Sequence, residues 1–334
     1  MDSWNISGPD AKLHREALVM DMTMPMVPGG KFSRFFSTLD TMHANGVDFV
    51  TLTLASDFTP TRQAKGNINL IRLLLLLKTG RVRLVKSVAD IRQTARDGKL
   101  AVGLHFQGTT PVGQDLSLVS YFYKRGIRHM LIAYNARNLV GYGCHEAEDQ
   151  GLTAFGRDLI HEMNRVGMLV DVAHTGYRTA MDIIETSSAP VVISHCNPWE
   201  LVHHPRCIKN DQIRAIAANK GVMGITGYGV FLGDNDVSTE RYVQHIDHIA
   251  QLVGPEYVGI GLDYVYDMET FTNFARSQPD KYPEEGGYLG NVRQVEYPQI
   301  PQVTEALLKR GYPGEAVKGI LGGNWLRVLG QVWK

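Results

Sequence analysis

The sequence predicts an α/β protein folded as a (β/α)8 TIM barrel, and three observations predict it. Eight short apolar, β-branched runs alternate with stretches of helical spacing along 334 residues. No shift in composition marks a boundary, so residues 1–334 are expected to form one domain. Most of the apolar runs end in a polar side chain, and a barrel collects such ends on one face. The competing arrangement is a doubly wound open sheet, but no G-x-G-x-x-G follows an early run to support it.

In chain order, the first strand is expected over Leu18–Met24, with Asp21 inside it and Pro25 stopping it. Helical spacing over 35–45 leads to a second strand at Phe49–Leu54. Two helices, 67–79 and 87–98, precede the third strand, Leu100–Phe106, which ends at Gln107. A helix over 115–125, stopped by Gly126, leads to the fourth strand, His129–Ala133, and then Tyr134 and Asn135. A polar loop over 138–151 holds Cys144, His145, Glu146 and Asp149 and is expected to be solvated. A helix over 153–166 precedes the fifth strand, Met168–Val172, which ends at His174. Helical spacing over 177–185 then leads to the sixth, Val191–Ser194, ending at His195. After a loop with His203, His204 and Arg206, Asp211 is expected to cap a helix. The seventh strand is Val222–Ile225, a helix follows over 239–253, and the eighth, Tyr257–Gly261, ends near Asp263. A long loop, 264–298, is rich in Pro, Gly and aromatics, and helices over 302–310 and 314–321 close the chain.

Composition narrows the function class. The chain carries 34 basic and 34 acidic residues, so no basic surplus points to nucleic acid or an anionic membrane. The run Leu73–Leu77 is too short to span a bilayer and reads as a buried helix stripe. Three cysteines, Cys144, Cys196 and Cys207, give no disulfide framework. The first twenty residues lack the apolar core of a signal peptide, and the chain ends without a hydrophobic tail. A cytoplasmic location is the expectation.

The chemistry centres on residues 167–195. Two parallel strands joined by one helix each finish in a histidine. Neighbouring parallel strands lie roughly 4.8 Å apart, so both imidazoles can reach one point above the strand ends. That suits a metal ion, since imidazole is a common neutral ligand of zinc. With Asp263 on the last strand, the order His, His, Asp is the late half of an amidohydrolase-type centre. In such a site a metal-bound water loses its proton near neutrality, and a nearby aspartate can carry that proton to a leaving nitrogen.

Five segments resemble the membrane (renal) dipeptidase family of zinc metallopeptidases. They are GLTAFGRDLIHEMNRVGMLVDVAH (151–174), APVVISH (189–195), HHPRCIKND (203–211), GIGLDYV (259–265) and LGGNWLRVL (321–329). The resemblance spans nearly the whole chain. It implies a barrel with two zinc ions, hydrolysis of dipeptides and, often, a homodimer. By position, it makes His174 and His195 ligands of the second zinc, Asp263 the proton-handling group and Arg206 the partner of the substrate carboxylate.

The departures fall in one place. Where the family has Asp-Gly-His-x-Asp at the end of its first strand, this chain has Asp21, Met22, Thr23, Met24 and Pro25. The family's bridging Glu falls on Gln107, and its carbonyl-polarising His on Tyr134. The expectation is therefore one zinc ion per chain, or a vacant site. His174, His195 and Asp263 would be its ligands, and Cys144 a candidate for another. Gln107 and Tyr134 would contact substrate, and Tyr134 and Asp263 would serve catalysis. The expected function is hydrolysis of an amide or peptide bond in a small amino-acid-like molecule. The alternatives are a lyase or isomerase, or a catalytically silent binding protein, on the same barrel.

Overall fold

The computed structural model describes residues 4–334, so the first three residues of the polar N-terminal stretch lie outside the described residues. Nine parallel strands form one sheet: β1 (Val19–Pro25), β2 (Val47–Ser56), β3 (Val82–Leu84), β4 (Leu100–Gln107), β5 (Ile127–Leu131), β6 (Leu169–Asp171), β7 (Val191–Cys196), β8 (Met223–Ile225) and β9 (Val258–Ile260). The order is β2-β1-β9-β8-β7-β6-β5-β4-β3, and pairing of β2 with β4 closes the ring. This is the (β/α)8 barrel, not the open sheet. The additional strand is β3, which pairs with Leu100–Val102 of β4, while β5 takes Leu104–Phe106. It fills the seam beside the start of β4 and was too short to register as a strand in the sequence.

Local chemistry sets the helix ends. Ser87 and Asp90 form a reciprocal cap on the helix Val88–Arg96. The Thr153 side chain accepts from Gly156 N at the start of Ala154–Val166. That helix ends at Gly167 with φ 88°, where a Cβ would come within 2.7 Å of Val332 O. Asp211 is not a cap, as the sequence suggested: it lies in the first turn of Asn210–Ala218, which begins after Lys209. Four helices went unread: Gly8–Glu16, the short Gly229–Leu232, Met268–Arg276 inside the long loop, and the C-terminal Asn324–Val332.

The base of the barrel is tied to the C-terminal helix, Asn324–Val332. Trp325 is fully buried and donates from Nε1 to Ile260 O at 3.1 Å. Gly259 must lack a side chain, since a Cβ there would sit 2.2 Å from that indole nitrogen. Asn324 donates to Pro255 O and Val258 O, both at 2.8 Å, and so tethers the helix to the last strand.

The leucine run departs from expectation. Only Leu75 is buried; Leu73, Leu76 and Leu77 are 60%, 65% and 71% exposed. The helix, Thr61–Leu76, turns its buried stripe through Ala64, Ile68, Ile71 and Leu75. Five consecutive leucines must point all round a helix of 3.6 residues per turn, so the rest face outward.

Candidate active site

Strand ends β6 and β7 deliver His174 and His195, and their Nε2 atoms lie 2.8 Å apart. Both rings are buried, and burial with the nearby Arg206 charge holds both well below the ordinary histidine pKa. Each is a neutral imidazole at pH 7. The hydrogen bonds then fix the tautomer. The Asn135 amide donates from Nδ2 to Lys281 O, so its Oδ1 faces His174 Nδ1 at 2.6 Å and must accept. His174 therefore carries its proton on Nδ1 and presents a lone pair at Nε2.

His195 Nδ1 meets the Ser194 hydroxyl at 2.8 Å and Thr23 Oγ1 at 3.3 Å. Thr23 spends its own proton on Met22 O at 2.6 Å, so towards His195 it can only accept. With the proton on Nδ1, the two Nε2 lone pairs would face each other across a gap that only a cation or a shared proton can stabilise. Metal-binding histidines are oriented in this way, by a hydrogen bond at the other ring nitrogen.

Asp263 completes the group, with Oδ2 3.9 Å from His195 Nε2. Burial pushes its carboxyl up to about 6, against the opposing pull of Arg206 and a hydrogen bond from Gln107. Six described non-glycine residues have positive φ, and three of them are here: Asn135 at 61°, His174 at 62° and Asp263 at 56°. Such backbone costs of order 1–3 kcal/mol per residue, and it is stored where a site needs it.

The spacing and chemistry of these donors suit a metal centre of one ion. Bonds of about 2.0–2.1 Å place two nitrogens on one tetrahedral zinc-like ion roughly 3.3 Å apart. The 2.8 Å and 3.9 Å separations lie either side of that spacing. Two neutral imidazoles and a carboxylate suit one divalent ion, although among the described residues no three His, Cys, Asp or Glu side chains are already drawn together tightly enough to hold one. They do not suit two ions. Thr23 is committed to Met22 O, Pro25 has no donor atom, and Gln107 Nε2 donates to Thr53 Oγ1 at 3.0 Å. Cys144 is engaged with Asn135 in this structure. Burial pushes its thiol up to about 11, and Sγ donates to Asn135 Oδ1 at 3.4 Å.

The other expected residues fall as follows. Tyr134 stacks on His174 with ring centroids 4.0 Å apart, and its hydroxyl meets that of Tyr282 at 2.9 Å. Gln107, Tyr134, His174 and Asp263 all line one cavity of about 720 Å³. Arg206 is 3% exposed, with its guanidinium 5.5 Å from the Phe231 ring. Among the described residues its guanidinium makes one hydrogen bond, a long 3.5 Å contact with His195 O, and its Nε has no partner. A buried guanidinium so poorly satisfied calls for an anion.

The loop expected to be solvated instead packs on the site: His145 Nε2 meets Tyr288 OH at 2.8 Å. His204 does not line the cavity; its Nε2 meets Gly286 O of the long loop 264–298 at 3.2 Å. His105, on β4, lies inside the barrel with Nε2 2.8 Å from Thr53 Oγ1. Asp21 holds the mouth by accepting from Leu262 N at 2.9 Å and Tyr297 OH at 2.8 Å. The positions that sequence reasoning missed are Asn135, Thr53, Tyr282 and Tyr288. The signals were a polar residue just past a strand end and an aromatic-rich loop.

A closed parallel barrel whose strand ends bring paired imidazoles beside an aspartate is the layout of the amidohydrolase-type metal-dependent hydrolases. The chain belongs to the membrane dipeptidase family, peptidase family M19, whose model matches residues 56–276. It is 29% identical over 270 residues to the dipeptidase tcpJ of Claviceps purpurea, covering 79% of this chain and 59% of that protein. It is 30% identical over 276 residues to an uncharacterized protein encoded in the pqqA 5′ region of Klebsiella pneumoniae, covering 79% and 94%. Among solved structures, an amidohydrolase from Pseudomonas aeruginosa superposes with a TM-score of 0.89 at 30% identity, covering 97% of this chain and 99% of that one.

Proposed function

We propose that the protein is a single-metal amide hydrolase acting on a small amino-acid-like molecule that carries a carboxylate. The observation that supports this best is the pair of pinned, neutral imidazoles with their Nε2 atoms 2.8 Å apart, beside Asp263 and the unpaired Arg206. His174 and His195 would hold one zinc ion, with Asp263 as the third donor. The ion, when bound, supplies a water of near-neutral pKa and a Lewis acid.

The chain's own groups do the rest. Arg206 takes the substrate carboxylate and so fixes which end of the molecule enters. Tyr134 donates a hydrogen bond to the acyl oxygen. It stays a neutral donor there, since burial and its tyrosine and aspartate neighbours keep its pKa well above the ordinary value. Gln107, anchored on Thr53, orients Asp263. Asp263 accepts the water's proton and returns it to the nitrogen. The water oxygen bonds to the acyl carbon, the C–N bond breaks with its electron pair on nitrogen, and the products are a carboxylic acid and an amine.

Thr23, Pro25 and Gln107 support weak turnover of ordinary dipeptides, because the second cation that would share the developing charge has no ligands. Loss of one electrostatic contributor of this kind typically costs about 10²–10³ in rate. The test is turnover of an amide panel by protein loaded with zinc. Activity that depends on the metal and on Asp263 supports the reading, and rapid turnover of simple dipeptides contradicts the single-ion part of it. We also propose a homodimer, with the exposed Leu73, Leu76 and Leu77 face as the contact, which light scattering of a Leu73→Glu variant would test. Three free thiols support a reducing, cytoplasmic setting.

A further inference from the structure

The cavity above the site has a polar floor and an apolar wall. The floor is His174, Gln107, Asp263 and Tyr134. From Tyr134 the wall runs outward through aromatic contacts, Tyr134 to Phe58 at 6.0 Å and Phe58 to Phe274 at 4.9 Å. A second line runs from Tyr134 to Tyr282 at 5.9 Å and on to Phe271 at 5.6 Å. Leu70 and Leu74 of the helix Thr61–Leu76 face the same space. At the rim, Leu70 and Phe32 line the cavity yet remain 45% and 44% exposed, so the apolar surface continues out of the mouth.

Two features of this space bear on what fills it. Its volume of about 720 Å³ is that of a site for a drug-sized molecule, larger than two small residues need. Among its lining residues Asp263 is the one carboxylate, and there is no lysine or arginine. A free dipeptide held by its carboxylate would place its N-terminal ammonium on the cavity side. The one acid able to meet it there is also the group that must carry the proton. An ammonium buried without a partner is costly, and an apolar acyl group buried in the same place is favourable.

We propose that the substrate is an N-acylated amino acid whose acyl group is large and apolar, a long alkyl chain or an aromatic ring, seated between Phe58, Phe274 and Leu70. This rests on the reading of the floor as the reacting end of an amide hydrolase. It assigns the cavity-side half of the substrate as an acyl group, where the family resemblance implies the first residue of a dipeptide.

Binding and cleavage are measured separately. The binding probes are N-alkylsulfonyl-alanines, in both enantiomers, in which a sulfonamide replaces the cleavable amide. Calorimetry with zinc-loaded protein compares methyl, octyl, dodecyl and phenylmethyl forms with the dipeptide phenylalanyl-alanine. The affinity is expected to rise at least about 100-fold from methyl to dodecyl, since each methylene buried is worth a few-fold. The octyl-to-dodecyl and phenylmethyl arms tell an alkyl channel from an aromatic slot. Leu70→Asp and Phe274→Asp are expected to remove most of the gain and leave the methyl probe unchanged. Leu70 is at the surface, so that variant should fold, and thermal melts check both.

Equal affinity for all chain lengths, or tighter binding of the dipeptide, overturns the assignment. Cleavage of N-dodecanoyl-alanine is the second readout. Chain-length-dependent binding without cleavage leaves the substrate class standing and removes the hydrolytic reading. Cleavage of small dipeptides with flat binding does the reverse.

Discussion

Two arcs of the barrel mouth have diverged in opposite directions. On the β6–β7 arc, His174 and His195 are each pinned at Nδ1, and left-handed backbone at Asn135 and His174 holds the first ring in place. Their Nε2 atoms are left with only each other. On the β1–β4 arc the side chains at the first-ion positions are spent on protein groups. Thr23 donates to Met22 O, Gln107 donates to Thr53, and Thr53 meets His105. The first arc keeps strain and, with His195 protonated on Nδ1, two unspent lone pairs, which is what a cation site requires. The second has neutral groups already committed to protein partners. That contrast is the basis for proposing one ion and not two.

The largest effect expected is from the strained arc. His174→Ala or His195→Ala should abolish high-affinity metal binding and lower kcat/KM by about 10³ or more while the protein still folds, a split that metal analysis, kinetics and melting together would check. Asp263→Asn should keep the metal to within about tenfold but lose about 10²–10⁴ in kcat, the size of one acid–base group. If Asp263→Asn instead emptied the site, the aspartate would be a ligand first and a proton carrier second.

The neutral arc should respond more gently. Gln107→Glu should tighten the surviving site by roughly tenfold if residue 107 reaches the ion, because an anionic oxygen is the better zinc ligand. It should not raise the stoichiometry, since Thr23 and Pro25 still supply nothing. Zinc titration by calorimetry decides this, and an unchanged affinity would place Gln107 with the substrate alone.

The smallest effect concerns a carboxyl outside both arcs. Asp48 accepts from Val19 N, and burial pushes its carboxyl up to about 6 from 3.8. Asp263 is raised to about the same value by the same first cause, so a raised carboxyl alone does not mark the site. For a raised carboxyl, the stabilising contribution is fully present below 3.8 and is lost as pH rises through about 6. Asp48→Asn should therefore gain on the parent between pH 4 and pH 7, by about 1–3 kcal/mol, in urea melts. Activity should not change.

Much of this was legible in the sequence. Alternation of apolar runs with helical spacing gave the barrel, because strand and helix periods differ and β-branched runs of this length are short. The terminal polar residues of those runs pointed to the mouth, and His174, His195 and Asp263 do meet there. What was not legible depends on the third dimension. Asn135 is one polar residue among many until the fold brings its amide to Lys281 O and His174. Tyr282 and Tyr288 reach the cavity from a loop about 150 residues away in sequence from Tyr134, held partly by the unread helix Met268–Arg276. The outward turn of Leu73, Leu76 and Leu77 follows from helix geometry, yet hydrophobicity alone placed them inside.

The central claim is one ion per chain, held by the β6–β7 arc. The direct measurement is elemental analysis of protein purified without chelators, with a calorimetric zinc titration of the stripped protein. The account predicts a stoichiometry of one that falls to zero in His174→Ala and in His195→Ala and stays at one in Gln107→Glu. Two ions per chain, or a single ion that survives loss of both histidines, would contradict it.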